Sequence, residues 1–211
     1  MTVNEIFFSI QGESSYSGLP CVFIRLTGCP LRCAYCDTEY AFYEGKSLTL
    51  PEILEEVTRF DCRLVEITGG EPLAQKECID LMQALIASDY TVLLETSGAI
   101  SLKEVPQNVI KIMDIKCPSS READKNLYEN IAFLKPHDEI KFVIGTREDY
   151  DFAKETVKKY ALEKKHAILF SPVYGTMELK TLAGWILRDG ICVRLQTQLH
   201  KLIWGENVRG V

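Results

Sequence analysis

The sequence lacks the features that mark several large classes of protein. It has no basic excess, because 24 lysines and arginines stand against 30 aspartates and glutamates, a formal net charge of −6. We therefore expect no nucleic-acid partner bound through its phosphates. No apolar run approaches the roughly 20 residues of a membrane helix, so no membrane partner is expected. The first residues lack a basic segment followed by a long apolar core, and no secretory signal is expected.

The chain also lacks a linker rich in glycine, serine or proline, an internal repeat and a low-complexity tract. Its 211 residues, 46% of them hydrophobic, suffice for a sizeable core, and one domain over residues 1–211 is predicted. Eight cysteines would suggest disulfides in a small secreted protein, but this length and composition favour a reducing cytoplasm. Cys62, Cys78 and Cys192 lie in apolar patterns and are predicted to be small core residues.

Three of the cysteines form one short motif. Cys29, Cys33 and Cys36 follow an apolar run that ends at Gly28. Thiolates favour zinc, copper or iron–sulfur centres. A structural zinc site needs four ligands, whereas an iron–sulfur cube held by three cysteines keeps one iron open. The lack of a fourth cysteine on the loop favours a reactive cluster. A zinc site with a fourth thiol from elsewhere stays open, its candidates being Cys21, Cys62 and Cys117.

Strand and helix patterns alternate along the chain. The predicted strands are 5–10, 21–27, 64–68, 90–96, 109–115, 139–144, 167–171 and 192–197. The predicted helices are 49–59, 76–88, 123–134, 148–162 and 177–188. This alternation predicts βαβ crossovers and an α/β fold with a mostly parallel sheet. Glycine-rich and polar segments follow the strands, as expected if a site gathers at their carboxyl ends.

Two motifs occur together in an order typical of one superfamily. The CxxxCxxC spacing of residues 29–36, and Gly69-Gly-Glu-Pro72 after a predicted strand, resemble the motifs of radical S-adenosylmethionine (SAM) enzymes. The resemblance implies a partial (β/α) barrel and a 4Fe–4S cluster on Cys29, Cys33 and Cys36. It also implies that SAM binds the open iron and is cleaved to a 5′-deoxyadenosyl radical. The Glu71 carboxylate is of a type that suits a ligand ammonium.

Further segments narrow the resemblance to the 7-carboxy-7-deazaguanine synthase family of the queuosine route. They are 9–13, Arg25, 29–38, 68–72 and the final Arg-Gly-Val. The resemblance implies that 6-carboxy-5,6,7,8-tetrahydropterin becomes 7-carboxy-7-deazaguanine by radical ring contraction with loss of ammonia, and that SAM is regenerated. It also implies a homodimer and a reducing protein partner such as flavodoxin or ferredoxin.

The same resemblance assigns residues to ligands, position by position. Thr38 is expected to bind Mg²⁺, with a substrate carboxylate completing the site because a hydroxyl alone is a weak anchor. No protein acid/base pair is expected, since cofactor and metal carry the chemistry. The residues expected at SAM are Tyr35, Cys36, Asp37, Gly70, Ser97, Asp114 and Lys116. The residues expected at the substrate are Ile10, Gln11, Gly12, Glu13, Arg25, Thr68 and Val211.

Plainer interpretations remain open for several of these residues. Thr38 and its neighbour Asp37 suit a turn cap, and residues 11–13 suit a solvated loop. Arg25 suits an internal ion pair, with Glu66 or Glu95 as its partner. Many relatives have Ser-Pro-Lys where this chain has Asp114-Ile-Lys116, so the serine contact is not carried over. The alternative functions are an activase that makes a glycyl radical on a partner protein and a zinc-stabilised binding module.

Overall fold

Nine strands form one sheet in the computed structural model, which describes residues 1–206 and 208–211. They are β1 (Thr2–Ile10), β2 (Pro20–Leu26), β3 (Lys46–Ser47), β4 (Leu64–Gly69), β5 (Thr91–Thr96), β6 (Ile110–Asp114), β7 (Glu139–Ile144), β8 (Ala167–Pro172) and β9 (Arg194–Leu195). Their order across the sheet is β3-β1-β2-β4-β5-β6-β7-β8-β9. The β1 strand is antiparallel to β2 and β3, and every later neighbour pair is parallel. This open, mostly parallel sheet confirms the predicted α/β class and partial barrel.

Among the described residues, four α-helices lie in crossovers between parallel strands and a fifth follows the last strand. They are α1 (Leu50–Thr58), α2 (Cys78–Ala87), α3 (Arg147–Tyr160), α4 (Leu179–Asp189) and α5 (Leu199–Trp204). A capping box between Thr49 and Glu52 opens α1, as predicted, and a second one between Thr146 and Asp149 opens α3. Within the described residues, no helix combines the length and apolar character needed to cross a membrane.

Successive side chains along each strand point to opposite faces of the sheet. The outer face is mostly apolar and the inner face is mostly polar. On β4, Val65 and Ile67 join the main core under the helices, while Glu66 and Thr68 point the other way. The inner face has a small apolar cluster of its own, made of Leu93, Ile112 and Leu169. Polar side chains above this cluster therefore lie inside the curve of the sheet.

The predicted helix over 123–134 is wrong. The structure has two short 3₁₀ turns there, Ala123–Lys125 and Tyr128–Phe133. Asn126 bonds both backbone groups of Lys116, at 2.8 and 2.9 Å, and Asn130 bonds three backbone groups of the segment 98–102. These distant side-chain bonds hold the segment in turns, because asparagine competes with helical backbone bonding.

Smaller differences lie at the ends of the sheet and among the cysteines. The short strand β3 and the helix α5 were not predicted. Cys78 is buried as expected and Cys62 is half-buried, but Cys192 is exposed, so its assignment to the core is wrong. It precedes β9, a two-residue edge strand whose residues are both exposed.

Candidate active site

A cavity of about 920 Å³ lies at the carboxyl ends of the parallel strands. Loops that follow β1, β2, β4, β5, β6 and β8 contribute to its walls. It is lined by every residue that the sequence analysis assigns to a cofactor, a metal or the substrate, which are Ile10, Gln11, Gly12, Glu13, Arg25, Cys29, Cys33, Tyr35, Cys36, Asp37, Thr38, Thr68, Gly70, Ser97, Asp114, Lys116 and Val211. The fold therefore brings residues up to about 200 positions apart into one chamber.

The cysteine loop is held by backbone bonds to the turn after β6. The amide of Ala34 donates to the carbonyl of Ser120 at 3.0 Å, and the amide of Arg32 donates to Glu122 at 2.6 Å. The Arg32 guanidinium lies 4.1 Å from the ring centroid of Phe42 and donates to the Tyr43 hydroxyl at 3.1 Å. The aromatic segment after the loop, which includes Phe42 and Tyr43, thus packs on it.

The three thiols of the cysteine loop are the cysteine side chains that line the cavity in the described part of the chain. All three line the cavity, whereas Cys21, Cys62 and Cys117 do not. In the described residues, no three Cys, His, Asp or Glu side chains converge on one ion. Burial raises the pKa of each loop thiol, to about 11 for Cys33. Metal binding to thiolates therefore has to release protons here.

Gly70 lets the turn after β4 press against the cysteine loop. A Cβ at this position would lie 2.8 Å from the Cβ of Cys29 and 2.8 Å from the carbonyl carbon of Gly28. Only glycine permits this approach without a shift of the loop. The backbone of residue 70 is thereby exposed to the cavity beside the thiols.

The wall of the cavity that carries Asp114 and Lys116 has an unsatisfied carboxylate oxygen. Lys116 Nζ lies 2.7 Å from Asp114 Oδ2. Asp114 Oδ1 is buried and has no hydrogen-bond partner in the described part of the chain. Buried polar atoms without partners are rare, so this oxygen fits a donor that a ligand supplies. Burial would lower the pKa of Lys116, but the Asp114 carboxylate raises it above the usual range.

Glu71 of the Gly-Gly-Glu-Pro motif does not face a ligand. Its side chain is fully buried and accepts hydrogen bonds from the Ser97 amide at 2.7 Å, the Thr96 hydroxyl at 3.0 Å, the Leu73 amide at 3.0 Å and the Ser97 hydroxyl. The expectation that it suits a ligand ammonium is therefore wrong. It instead braces the ends of β4 and β5 under the cavity.

Arg25 presents the end of its guanidinium to the cavity. Its Nε donates to Glu5 Oε1 at 2.7 Å, and the Tyr40 hydroxyl donates to the same oxygen at 3.1 Å. Arg25 thus forms the internal ion pair of the plainer interpretation, with Glu5 as its partner in place of Glu66 or Glu95. The two terminal nitrogens of Arg25 make no hydrogen bond to any described residue, which leaves a fork suited to a carboxylate.

Three carboxylates lie near one ammonium on the inner wall, and two of them pair with it. Lys141 Nζ lies 3.0 Å from Glu13 and also contacts Glu95, while Glu66 accepts from the Gln11 amide. Burial and the neighbouring carboxylates raise the pKa of Glu66 well above its usual range. Burial also raises the pKa of Glu95 to about 7, against the pull of Lys141. For Glu13 burial acts in the same direction, but Lys141, Gln198 and His200 together lower the pKa below its usual range.

Asp37 and Thr38 lie where α5 meets the cysteine loop. Asp37 Oδ2 is 2.6 Å from Lys201 Nζ and accepts from Gln198 Nε2 at 3.1 Å. Asp37 Oδ1 accepts from the Thr38 hydroxyl at 2.9 Å. Thr38 precedes a short 3₁₀ turn, but its side chain makes no capping hydrogen bond to that turn. The interpretation of the Thr38 side chain as a turn cap is therefore wrong.

Comparison with known proteins identifies the family of the chain. The sequence model of the Radical SAM superfamily matches residues 23–174. The chain is 48% identical to the 7-carboxy-7-deazaguanine synthase of Koribacter versatilis over 100% of both chains, and 44% identical to that of Chlorobaculum tepidum over 100% of this chain and 97% of the relative. The chain belongs to the radical SAM superfamily and, within it, to the 7-carboxy-7-deazaguanine synthase family. The crystal structure of QueE from Escherichia coli, 24% identical, shares its fold with a TM-score of 0.77 over 94% of each chain.

Membership of the radical SAM superfamily decides between the two metal centres that the cysteine spacing left open. Its enzymes use a 4Fe–4S cluster and SAM, so the zinc-stabilised module is wrong. The full-length relatives are named as synthases, which also disfavours the activase. The particular contacts of each residue with cluster, SAM and substrate stay predictions.

Two charged residues of this radical SAM chamber were missed by sequence reasoning. Lys141 and Lys201 are both buried and both line the cavity. Lys141 had a usable signal, because a lysine in the middle of the apolar strand β7 needs a buried partner. Lys201 had none, since it follows the last strand in a segment without a clear helical pattern.

The final residues of the family's Arg-Gly-Val ending reach the same chamber. Val211 lines the cavity. Arg209 lies 3.7 Å from the ring centroid of Tyr40 and 3.0 Å from Glu44. Because Tyr40 in turn bonds Glu5, the partner of Arg25, the ending packs next to the arginine predicted to bind substrate.

Proposed function

We propose that the chain converts 6-carboxy-5,6,7,8-tetrahydropterin to 7-carboxy-7-deazaguanine and ammonia. The observation that carries this proposal is the shared chamber, in which three thiols, an open guanidinium fork and an oriented hydroxyl face one another. Full-length identity of 48% and 44% to proteins that bear the synthase name supports it.

The cofactors supply the radical chemistry, and the protein supplies binding and orientation. When bound, the 4Fe–4S cluster and SAM provide the radical that removes a hydrogen atom from the substrate. Cys29, Cys33 and Cys36 hold the cluster. The backbone of Gly70, which lies close to the cysteine loop because the residue has no Cβ, would contact SAM there. The unpaired oxygen of Asp114 accepts a hydrogen bond from SAM.

On the opposite wall, the substrate is held by complementary polar groups. The free nitrogens of Arg25 bind its carboxylate. Glu13 keeps a negative charge beside Lys141, so it accepts hydrogen bonds from the donor-rich edge of the pterin. Gln11 is 3% exposed and its amide bonds Glu66, so its part is to fix the loop that carries Glu13.

Thr38 binds Mg²⁺ together with the substrate carboxylate. A hard cation takes oxygen ligands, and Mg²⁺ keeps several waters when the protein offers few. The Thr38 hydroxyl lines the cavity and donates its hydrogen to Asp37, so its lone pairs are free for a cation. A metal held in this way binds tightly only when substrate is present.

The same proposal includes the partners and setting expected from the family. The protein works as a homodimer in the cytoplasm and takes electrons from a small redox protein such as flavodoxin or ferredoxin. Tyr43 and Arg32 are exposed beside the cysteine loop and offer a surface on which such a partner can dock.

The test is anaerobic incubation with SAM, a reductant, Mg²⁺ and carboxytetrahydropterin, followed by product identification by mass spectrometry. We expect 7-carboxy-7-deazaguanine from the wild type and none from Cys33→Ala. Deoxyadenosine release without the deazaguanine product, or a glycyl radical formed on another protein, would contradict the proposal.

A further inference from the structure

The Asp37 carboxylate is held by three donors from two directions. Its Oδ2 faces Lys201 Nζ at 2.6 Å and Gln198 Nε2 at 3.1 Å. Its Oδ1 accepts the hydrogen of the Thr38 hydroxyl at 2.9 Å. A carboxylate fixed at one oxygen by an ammonium and an amide has little freedom to turn the other.

Lys201 is well suited to fix this carboxylate. The residue is 7% exposed, and its ammonium has Asp37 as its one ion-pair partner among the described residues. It also lies 5.1 Å from the ring centroid of Tyr174. A buried ammonium without a partner is costly, so the pair is strongly favoured over separated side chains.

Gln198 ties the same carboxylate to the substrate wall. Its Nε2 is 3.0 Å from Glu13 Oε1 as well as 3.1 Å from Asp37 Oδ2. The amide of Leu199 donates to the carbonyl of Gly12 at 2.9 Å. The start of α5 therefore links the loop that carries Glu13 to the loop that carries Thr38.

We infer that Lys201 and Gln198 are positioning residues for the cation at Thr38. By fixing Asp37, they keep the Thr38 hydrogen pointed away from the cation and the oxygen lone pairs pointed towards it. Partners of metal ligands commonly orient the ligand and tune its affinity in this way. The inference rests on the proposed function in one respect, the binding of Mg²⁺ at Thr38.

The test is Mn²⁺ binding followed by EPR in a complex that cannot turn over. Cluster-loaded protein receives SAM and carboxytetrahydropterin without reductant, and Mn²⁺ replaces Mg²⁺. We expect Lys201→Met to weaken Mn²⁺ binding by about tenfold or more. Lys201→Arg should recover much of this loss because it keeps the charge. Lys180→Met, an exposed lysine on α4, should bind Mn²⁺ like the wild type.

A second readout separates positioning from general damage. In turnover assays, Lys201→Met should need more Mg²⁺ for half-maximal rate and should approach the wild-type kcat at saturating Mg²⁺. Iron content and the spectrum of the reduced cluster should be unchanged. Gln198→Leu, which keeps the ion pair, should show a smaller loss in the same direction, and it carries the test if Lys201→Met fails to fold.

The outcomes distinguish this inference from the proposed function. Thr38→Ala should abolish tight Mn²⁺ binding. If it does so while both Lys201→Met and Gln198→Leu bind Mn²⁺ like the wild type, the positioning role is wrong and the metal site stands. If Thr38→Ala also binds Mn²⁺ like the wild type, the metal role of Thr38 and this inference are both wrong. Formation of the deazaguanine product would still support the proposed reaction.

Discussion

At the scale of single residues, Glu95 lies in a part of the chamber that has more carboxylates than ammonium groups. Glu13, Glu66 and Glu95 face one lysine, Lys141. Burial raises the pKa of Glu95 from its ordinary 4.5 to about 7. The folded protein therefore holds a proton at pH values where the unfolded chain has lost it. The contribution of this proton to the free energy of unfolding is fully present below about pH 4.5. It is lost as the pH rises through about 7.

Glu95→Gln should remove this dependence on pH, because glutamine keeps the shape of the side chain without titrating. We expect the free energy of unfolding of the wild type, relative to Glu95→Gln, to fall by on the order of 2 kcal/mol between about pH 5 and about pH 8. Denaturant unfolding at several pH values measures it. Glu129→Gln, at an exposed position, should change stability little throughout. A constant difference between wild type and Glu95→Gln would contradict the raised pKa.

Sequence reasoning found residues whose chemistry is carried by spacing and missed those whose role depends on contact. The cysteines were assigned to a cluster through the resemblance to radical SAM enzymes, since their spacing alone left a zinc site open. Glu71 could not be placed, since a motif does not say which way a carboxylate points, and it proved to be buried against Ser97. The partner of Arg25, Glu5, lies on an antiparallel neighbour strand whose register the sequence does not display.

At the scale of elements, α5 was the largest omission. It has six residues and owes its position to tertiary bonds, among them the one between Leu199 and Gly12. Helices this short are not stable alone and leave a weak pattern. The helices α1 and α3, by contrast, begin at capping boxes that are legible in the sequence. Local sequence signals thus predict helices that local interactions stabilise. The helix α5 depends on tertiary bonds instead.

A pair of glycine variants tests the packing of α5. A Cβ at Gly12 would lie 2.9 Å from the backbone nitrogen of His200 and would overlap its ring, so Gly12→Ala must push α5 away. We expect a loss of about 1–3 kcal/mol in stability and weaker substrate binding. Gly184 on α4 has no atom within 4 Å of such a Cβ, so Gly184→Ala should gain about 1 kcal/mol. Thermal unfolding measures both, and equal effects would contradict the close contact.

At the scale of the whole molecule, the two ends of the open sheet are joined by hydrogen bonds that involve side chains. The edge strands β3 and β9 do not pair with each other. The loop after β1 instead meets the last elements through Ser14 and Gln196, 2.7 Å apart, and through Ser15 and Arg194, 2.5 Å apart. The alternation of strands and helices predicted the parallel sheet, but only tertiary structure shows that its two ends share one chamber.

The central claim is that this chamber leaves one iron of a cluster free for SAM. The most direct measurement is EPR of the reduced, anaerobically reconstituted protein before and after SAM is added. We predict a 4Fe–4S signal that changes when SAM binds and that is lost in Cys33→Ala. A signal that SAM leaves unchanged, or a protein that holds zinc with four protein ligands, would contradict the account.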